Sequence, residues 1–315
     1  MSTDSDFVLL GFVEPKDEVG SKINSNSIWR ENFIGGEPVF SPDLTEDELE
    51  RNFSQEELIC GECKGSLAFI AQMNCPVDSK PIDRIIYIFT CVSVNCKNRQ
   101  WKIYRVVTAV KDEEMADDSN HENLSKGNEC MELDDGSNRV TPETPLHLPF
   151  KQNVTKFKAM YLTVEEEKYL IADESNNRKD RSKGVIVEPK GNEVYEKFLI
   201  PGTDEVANKF LKTVSKFSRQ VIRYEWNGRP LLNQDVRIHP SQCTVCGSKR
   251  SFELQIMPGL ICEMKPVNES IELDFGTILF FTCKNNCNRD RRVFVEESII
   301  LNDPDSSIIP SFSTL

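Results

Sequence analysis

The feature that most constrains this chain is a pattern of cysteines and aromatic residues that occurs twice. CGECKGSLAFIAQMNCP at residues 60–76 and CTVCGSKRSFELQIMP at 243–258 share cysteines at offsets 0 and 3, a phenylalanine at 9 (Phe69, Phe252) and a glutamine at 12 (Gln72, Gln255). The match resumes downstream, where IIYIFTC ends at Cys91 and TILFFTC ends at Cys283, each followed by a second cysteine, Cys96 or Cys287. Each copy therefore holds four cysteines.

A C-x-x-C on a tight turn supplies two corners of a tetrahedral zinc site, and a pair at the end of a returning strand supplies the other two. The spacing predicts one zinc ion on Cys60, Cys63, Cys91 and Cys96 and a second on Cys243, Cys246, Cys283 and Cys287. With every corner a thiolate no coordination position is left for water, so both sites are expected to be structural rather than catalytic. Gly61 and Gly65 in the first copy and Gly247 in the second are expected to allow the left-handed backbone of such turns. Of the other cysteines, Cys75 and Cys262 read as core residues and Cys130 falls in an acidic stretch; His239, four residues before Cys243, is an alternative ligand. An odd total of eleven cysteines and the absence of an amino-terminal basic and apolar signal favour metal-bound thiolates over disulfides.

Between Asp112 and Asp135 ten positions are Asp or Glu and only Lys126 is Lys or Arg, which reads as a solvated, disordered loop. DESNNRKDRSKG from Asp173 reads as mobile too. The fold expected is α+β and mainly antiparallel β: two related zinc-supported β modules with a packed helix and the acidic loop between them. The division is 1–110, 111–150 and 151–315. FVLLGF, IIYIFTC, WKIYRVV and RRVFVEESIIL read as strands, and FKAMYLTVEEEKYLI as a strand or strand pair. A cap at Thr203 or Asp204 followed by Val206, Phe210, Val214 and Phe217 predicts a helix over about 204–218 that packs one stripe on a sheet. Gly35-Gly36 before Pro38 reads as a turn.

The formal charge of −13 argues against a polyanion as main partner and for a basic one. No glycine-rich phosphate loop or G-x-S-x-G elbow occurs and there are only three histidines, so an enzyme is not expected. No stretch approaches the roughly 18 apolar residues of a membrane span, so the chain is expected to be soluble and cytoplasmic, with some nuclear presence. Glu165, Glu166 and Glu167 are candidates for a surface that meets a basic partner at a sheet edge, where an extended tail could add as a strand. Arg223, Tyr224, Gly228 and Pro230 form a further motif, read as a packed brace or a contact.

LLGFVEP, the SKI at Ser21, GGEP-V-F from Gly35, CGEC with its F-x-x-Q, RQVIRYEWNGRPLL from Arg219 and CTVCGSKRSFELQIMPGL leading to FFTCKNNC together resemble the programmed cell death protein 2 family. Its fungal members are the twenty-S-rRNA-accumulation proteins of ribosome assembly. The resemblance runs from about Val8 to Val295 and implies a dedicated, co-translational chaperone. Its client would be a basic small-subunit ribosomal protein of the bacterial S5 or eukaryotic S2 type. It also implies zinc-supported β modules in the cytoplasm, and the eight cysteines fall where the family's cysteines fall. Two departures stand out: NSNSIWRENFI separates SKI from Gly-Gly, and the MYND-type finger of some animal relatives has only Cys130 in the corresponding stretch. The alternatives are a zinc-ribbon adaptor acting through its acidic loop and a nucleic-acid binder; direct nucleic-acid binding is disfavoured by the charge.

Overall fold

Arg84 and Ile85 begin a run of residues along which alternate side chains serve two different cores, and that alternation organises the molecule. The computed structural model describes residues 7–14, 28–76, 82–109, 156–171, 205–267, 271–287 and 291–301. The acidic stretch 111–150 with Cys130, the SKI segment, DESNNRKDRSKG and the Thr203/Asp204 cap lie outside the described residues.

Ten strands are described: β1 (Leu9–Val13), β2 (Phe33–Ile34), β3 (Ala68–Asn74), β4 (Ile82–Thr90), β5 (Trp101–Ala109), β6 (Met160–Glu166), β7 (Ile222–Tyr224), β8 (Arg250–Ile256), β9 (Thr277–Cys283) and β10 (Val293–Leu301). They close into an antiparallel barrel in the order β1-β6-β2-β3-β4-β5-β10-β9-β8-β7, with β7 returning to β1. Strands from both cysteine-bearing segments thus share one sheet. On β4, Ile86 and Ile88 join Ile70, Ile103, Leu254, Ile256, Ile278 and Phe280 in a cluster drawn from strands of both cysteine-bearing segments, the barrel interior. The alternate residues Ile85, Tyr87 and Phe89 belong to an outer cluster with Phe69 and Tyr104. Burial on both faces explains why IIYIFTC is an unbroken apolar run.

The outer cluster is roofed by α1 (Glu46–Phe53). Thr45 caps it and the Glu48 carboxylate accepts from the Thr45 amide, a capping box whose T-x-x-E signature is plain in TEDE. Leu49 and Phe53, one turn apart, are buried, and the Phe53 ring lies 4.6 Å from Tyr104 and from Phe40. The expected later helix is α2 (Glu205–Val214), continued by a 3-10 turn over Ser215–Phe217; of its apolar stripe Phe210 is buried. A short α3 (Gly259–Glu263) follows β8. FKAMYLTVEEEKYLI forms one strand, β6, and then a helical turn over 167–171, not a strand pair.

Gly35 and Gly36 turn the chain with φ of +63° and +73°. Their amides donate to the Ile70 and Phe157 carbonyls at 2.8 and 2.9 Å, tying β2 to β3 and to the segment entering β6. A Cβ at Gly35 would sit 2.4 Å from the Lys158 carbonyl oxygen.

β6, which carries Glu165 and Glu166, is paired with β1 on one side and β2 on the other. The β2 pairing stops at Tyr161, so Glu165 and Glu166 lie on the stretch of β6 whose named strand partner is β1 alone.

Candidate metal centres and the seam between them

Each C-x-x-C sits on a turn held by the same two hydrogen bonds. The Cys60 amide donates to the Gly65 carbonyl at 2.8 Å and the Lys64 amide to the Cys60 carbonyl at 3.0 Å; the Cys243 amide donates to Ser248 and the Gly247 amide to Cys243, both at 2.8 Å. The residue after the second cysteine is left-handed in both turns. Gly247 fits the expectation at φ +72°, but in the first turn it is Lys64, at +58°, and neither Gly61 nor Gly65.

The returning strands bring the second pairs alongside. The four sulfurs of Cys60, Cys63, Cys91 and Cys96 lie within 4.8 Å of one another, as do those of Cys243, Cys246, Cys283 and Cys287. The sulfurs are 3.8 Å apart for Cys60–Cys96, 3.5 Å for Cys63–Cys91, 3.7 Å for Cys243–Cys287 and 3.5 Å for Cys246–Cys283. A disulfide needs about 2 Å, and these cysteines are free thiols. Zinc with sulfur at about 2.3 Å places its ligands about 3.8 Å apart, so both clusters have the dimensions of a tetrahedral metal site.

Proton chemistry supports the fit. Burial raises Cys60, but backbone hydrogen bonds at Cys63, Glu62 and Gln100 outweigh it and bring the thiol down to about 7. In the same cluster burial pushes Cys96 up to about 11 and Cys91 higher still. In the second cluster burial raises Cys283, yet the Ser248 hydroxyl and neighbouring donors lower it to about 6, while burial and adjacent thiols push Cys287 up to about 12. One ionised thiolate makes the next costlier, so four deprotonated sulfurs in so small a space require a cation.

Gln100 was not singled out from the sequence, yet it braces the first centre from two sides. Its side-chain oxygen accepts from the Gly61 amide at 2.7 Å and its carbonyl from the Cys91 amide at 3.1 Å. The second centre borders a buried ionic network that sequence reasoning also missed. Arg84 on β4, fully buried, makes a two-pronged ion pair with the equally buried Glu253 on β8, 2.6 Å on one prong, and donates to Asn286 Oδ1 at 2.9 Å. Arg105 on β5 donates to Glu296 Oε1 at 2.6 Å, to the same Asn286 oxygen at 3.2 Å and to the Cys287 carbonyl. Arg250 on β8 pairs with the other oxygen of Glu296. Arg84 also stacks on Trp226 and Arg105 on Phe294. Burial, followed by the Arg84 charge, lowers Arg105 to about 10, which leaves it protonated at neutral pH.

The other sequence candidates fall as follows. Glu167 and Arg223, proposed separately, meet in a bidentate ion pair at 3.0 and 2.9 Å, and Gln220 accepts a further hydrogen bond from Arg223. Glu166 pairs with Lys168, and Glu165 is exposed. Tyr224 ends β7, and Gly228 closes a turn by donating to the Glu225 carbonyl at 3.0 Å. Arg223 and Pro230 line a 140 Å³ cavity with Lys209, Glu225 and Arg229. Cys75 is buried as expected, whereas Cys262 is exposed and is not a core residue, because it lies on the outer side of α3. His239 is exposed and belongs to neither thiol cluster.

With this geometry in hand, the family is decided by two domain models that match the chain: the N-terminal domain of programmed cell death protein 2 over residues 7–122 and its C-terminal domain over 204–303. The chain belongs to the programmed cell death protein 2 family. Within it, the chain is 27% identical to the programmed cell death protein 2-like protein of Mus musculus across 89% of this chain and 92% of that one. It is 26% identical to the Homo sapiens protein of the same name across 88% and 91%. Programmed cell death protein 2 of Mus musculus matches more locally, 29% identical across 27% of this chain and 26% of its own. No solved structure matches the chain. The two matched domains each contain one thiol cluster, and the programmed cell death protein 2-like relatives align across both.

Proposed function

We propose that this protein is a dedicated chaperone, not an enzyme, that captures a basic small-subunit ribosomal protein of the S5/S2 type as it is synthesised in the cytoplasm and holds it for ribosome assembly. Two structural zinc ions, on the eight clustered cysteines, keep the barrel folded. The two cysteine-bearing halves are copies of one ancestral unit; in support, both β3 and β8 carry a register shift just after their matched phenylalanine.

The observation that carries the reading is a folded acidic face in a chain of charge −13. Glu46, Asp47 and Glu50 on α1 and Glu56, Glu57 and Glu62 toward the first cysteine turn are exposed; exposed Arg51 and Lys64 interrupt them, and Lys102 lies 3.9 Å from Glu57. Carboxylates on a rigid helix and turn can take the place of rRNA phosphates for a Lys- and Arg-rich client, through side-chain contacts that need no sheet edge. The acidic segment 111–150 adds charge to the same chain.

The test is binding of the purified protein to a purified S5/S2-type ribosomal protein across a salt series. The expected result is affinity that falls steeply with salt and falls at least several-fold when Glu46, Asp47 and Glu50 are changed to Lys. Equal binding by the wild type and this charge-reversed protein would remove the acidic face from the reading. Tighter binding to RNA than to the basic protein would favour a nucleic-acid binder instead.

A further inference from the structure

The two thiol clusters are alike in their turns but not in what surrounds them. At offsets 7 and 10 from the first cysteine the first copy has Leu67 and Ile70, both apolar, whereas the second has Arg250 and Glu253. The ionic network that these residues join lies at the middle of the strand order, where β5 from the first cysteine-bearing segment meets β10 from the second. There β10 pairs with β5 through residues 293–296 and then with β9 through 297–301. Glu296, at the change of partner, is held between Arg105 from one half and Arg250 from the other.

The network is tied to the second cluster through Asn286, which lies between Cys283 and Cys287 with a left-handed φ of 44°. Its amide donates to the Cys283 carbonyl at 2.8 Å, and its buried side-chain oxygen accepts from both Arg84 and Arg105. Arg105 also donates to the Cys287 carbonyl. The turn that carries two cysteine ligands therefore supplies acceptors to two interior arginines from the first half of the chain. Two like charges placed in a barrel interior need such acceptors, because a buried guanidinium without its partners is strongly destabilising.

We propose that the second cluster is the latch of the barrel seam: metal bound there fixes the 283–287 turn, and Asn286 on that turn holds Arg84 and Arg105 across the junction of the halves. The first cluster serves its own side: Cys60, Cys91 and Cys96 belong to the outer core that Leu49 and Phe53 of α1 cover. The inference rests on the reading of the clusters as metal centres.

Hydrogen exchange of the full chain, with metal counted per chain, tests it. Asn286→Gly keeps a backbone free to adopt positive φ and removes the shared acceptor; Asn286→Asp keeps the acceptor. The Gly variant is expected to retain two metal ions while amides of β4 and β5 exchange roughly tenfold faster or more, the equivalent of losing one hydrogen bond to a charged group. The Asp variant is expected to stay near wild type. Cys246→Ser should speed exchange in β4 and β5 as well as in its own strands, and Cys63→Ser should leave β8 and β9 at their wild-type rates. Unchanged β4 and β5 in Asn286→Gly, or symmetrical effects of the two cysteine variants, would overturn the latch. A wild-type chain holding fewer than two metal ions would instead overturn the metal reading on which it rests.

Discussion

Gln72 and Gln255 stand at the same offset in the two cysteine segments, and each spends its side chain on a strand-flanking segment that the barrel does not itself pair. Gln72 Oε1 accepts from the Val39 amide at 3.0 Å while its Nε2 donates to the Trp29 carbonyl at 2.7 Å; Gln255 accepts from and donates to the backbone of Leu231 at 3.0 and 2.9 Å. Replacing Gln72 with Leu keeps volume but leaves a buried amide and a carbonyl unpaired, and is expected to cost about 2 kcal/mol in urea unfolding. That a glutamine recurs was legible in the sequence; its task was not, because Val39 is 33 residues away and nothing local marks it. The same holds for Arg223 and Glu167, which are 56 residues apart and became one ion pair only in the fold. Arg223→Ala should cost on the order of 2 kcal/mol, and Glu167→Ala nearly as much. The double variant should fall well short of the sum, because each single change already breaks the pair.

At the scale of elements, the strands with unbroken apolar runs and the stripe of α2 were readable because periodicity and composition carry them. α1 went unread although TEDE announces its capping box; Thr45→Ala is expected to cost about 1 kcal/mol, with the loss felt in the aromatic contacts of Phe53. Closure of the barrel depended on pairings no local pattern reveals. β1 and β6, about 150 residues apart, pair with one another, and each also pairs with a short strand, β7 or β2. The turn at Gly35 is equally tertiary in origin: Gly35→Ala must satisfy a positive φ and a carbonyl at 2.4 Å. It is expected to cost roughly 1–3 kcal/mol, with exchange rising first at β2 and the start of β6.

For the whole molecule, the clustering of eight cysteines was legible from spacing alone, because metal chemistry imposes a spacing that strands merely deliver. The ionic seam was not, since its members at 84, 105, 250, 253, 286 and 296 share no spacing and take their meaning from one another. If metal holds both turns, a strong chelator should lower the unfolding temperature by more than any single substitution above, and added zinc should restore it. Charge is the other whole-molecule property, and it carries the proposed role in ribosome assembly. The most direct measurement is to arrest translation, purify the tagged protein with the ribosomes attached to it, and identify the messages recovered. The account predicts strong enrichment of one message, that of an S5/S2-type small-subunit protein; a broad mixture of messages, or ribosomes no more abundant than in an untagged control, would contradict it.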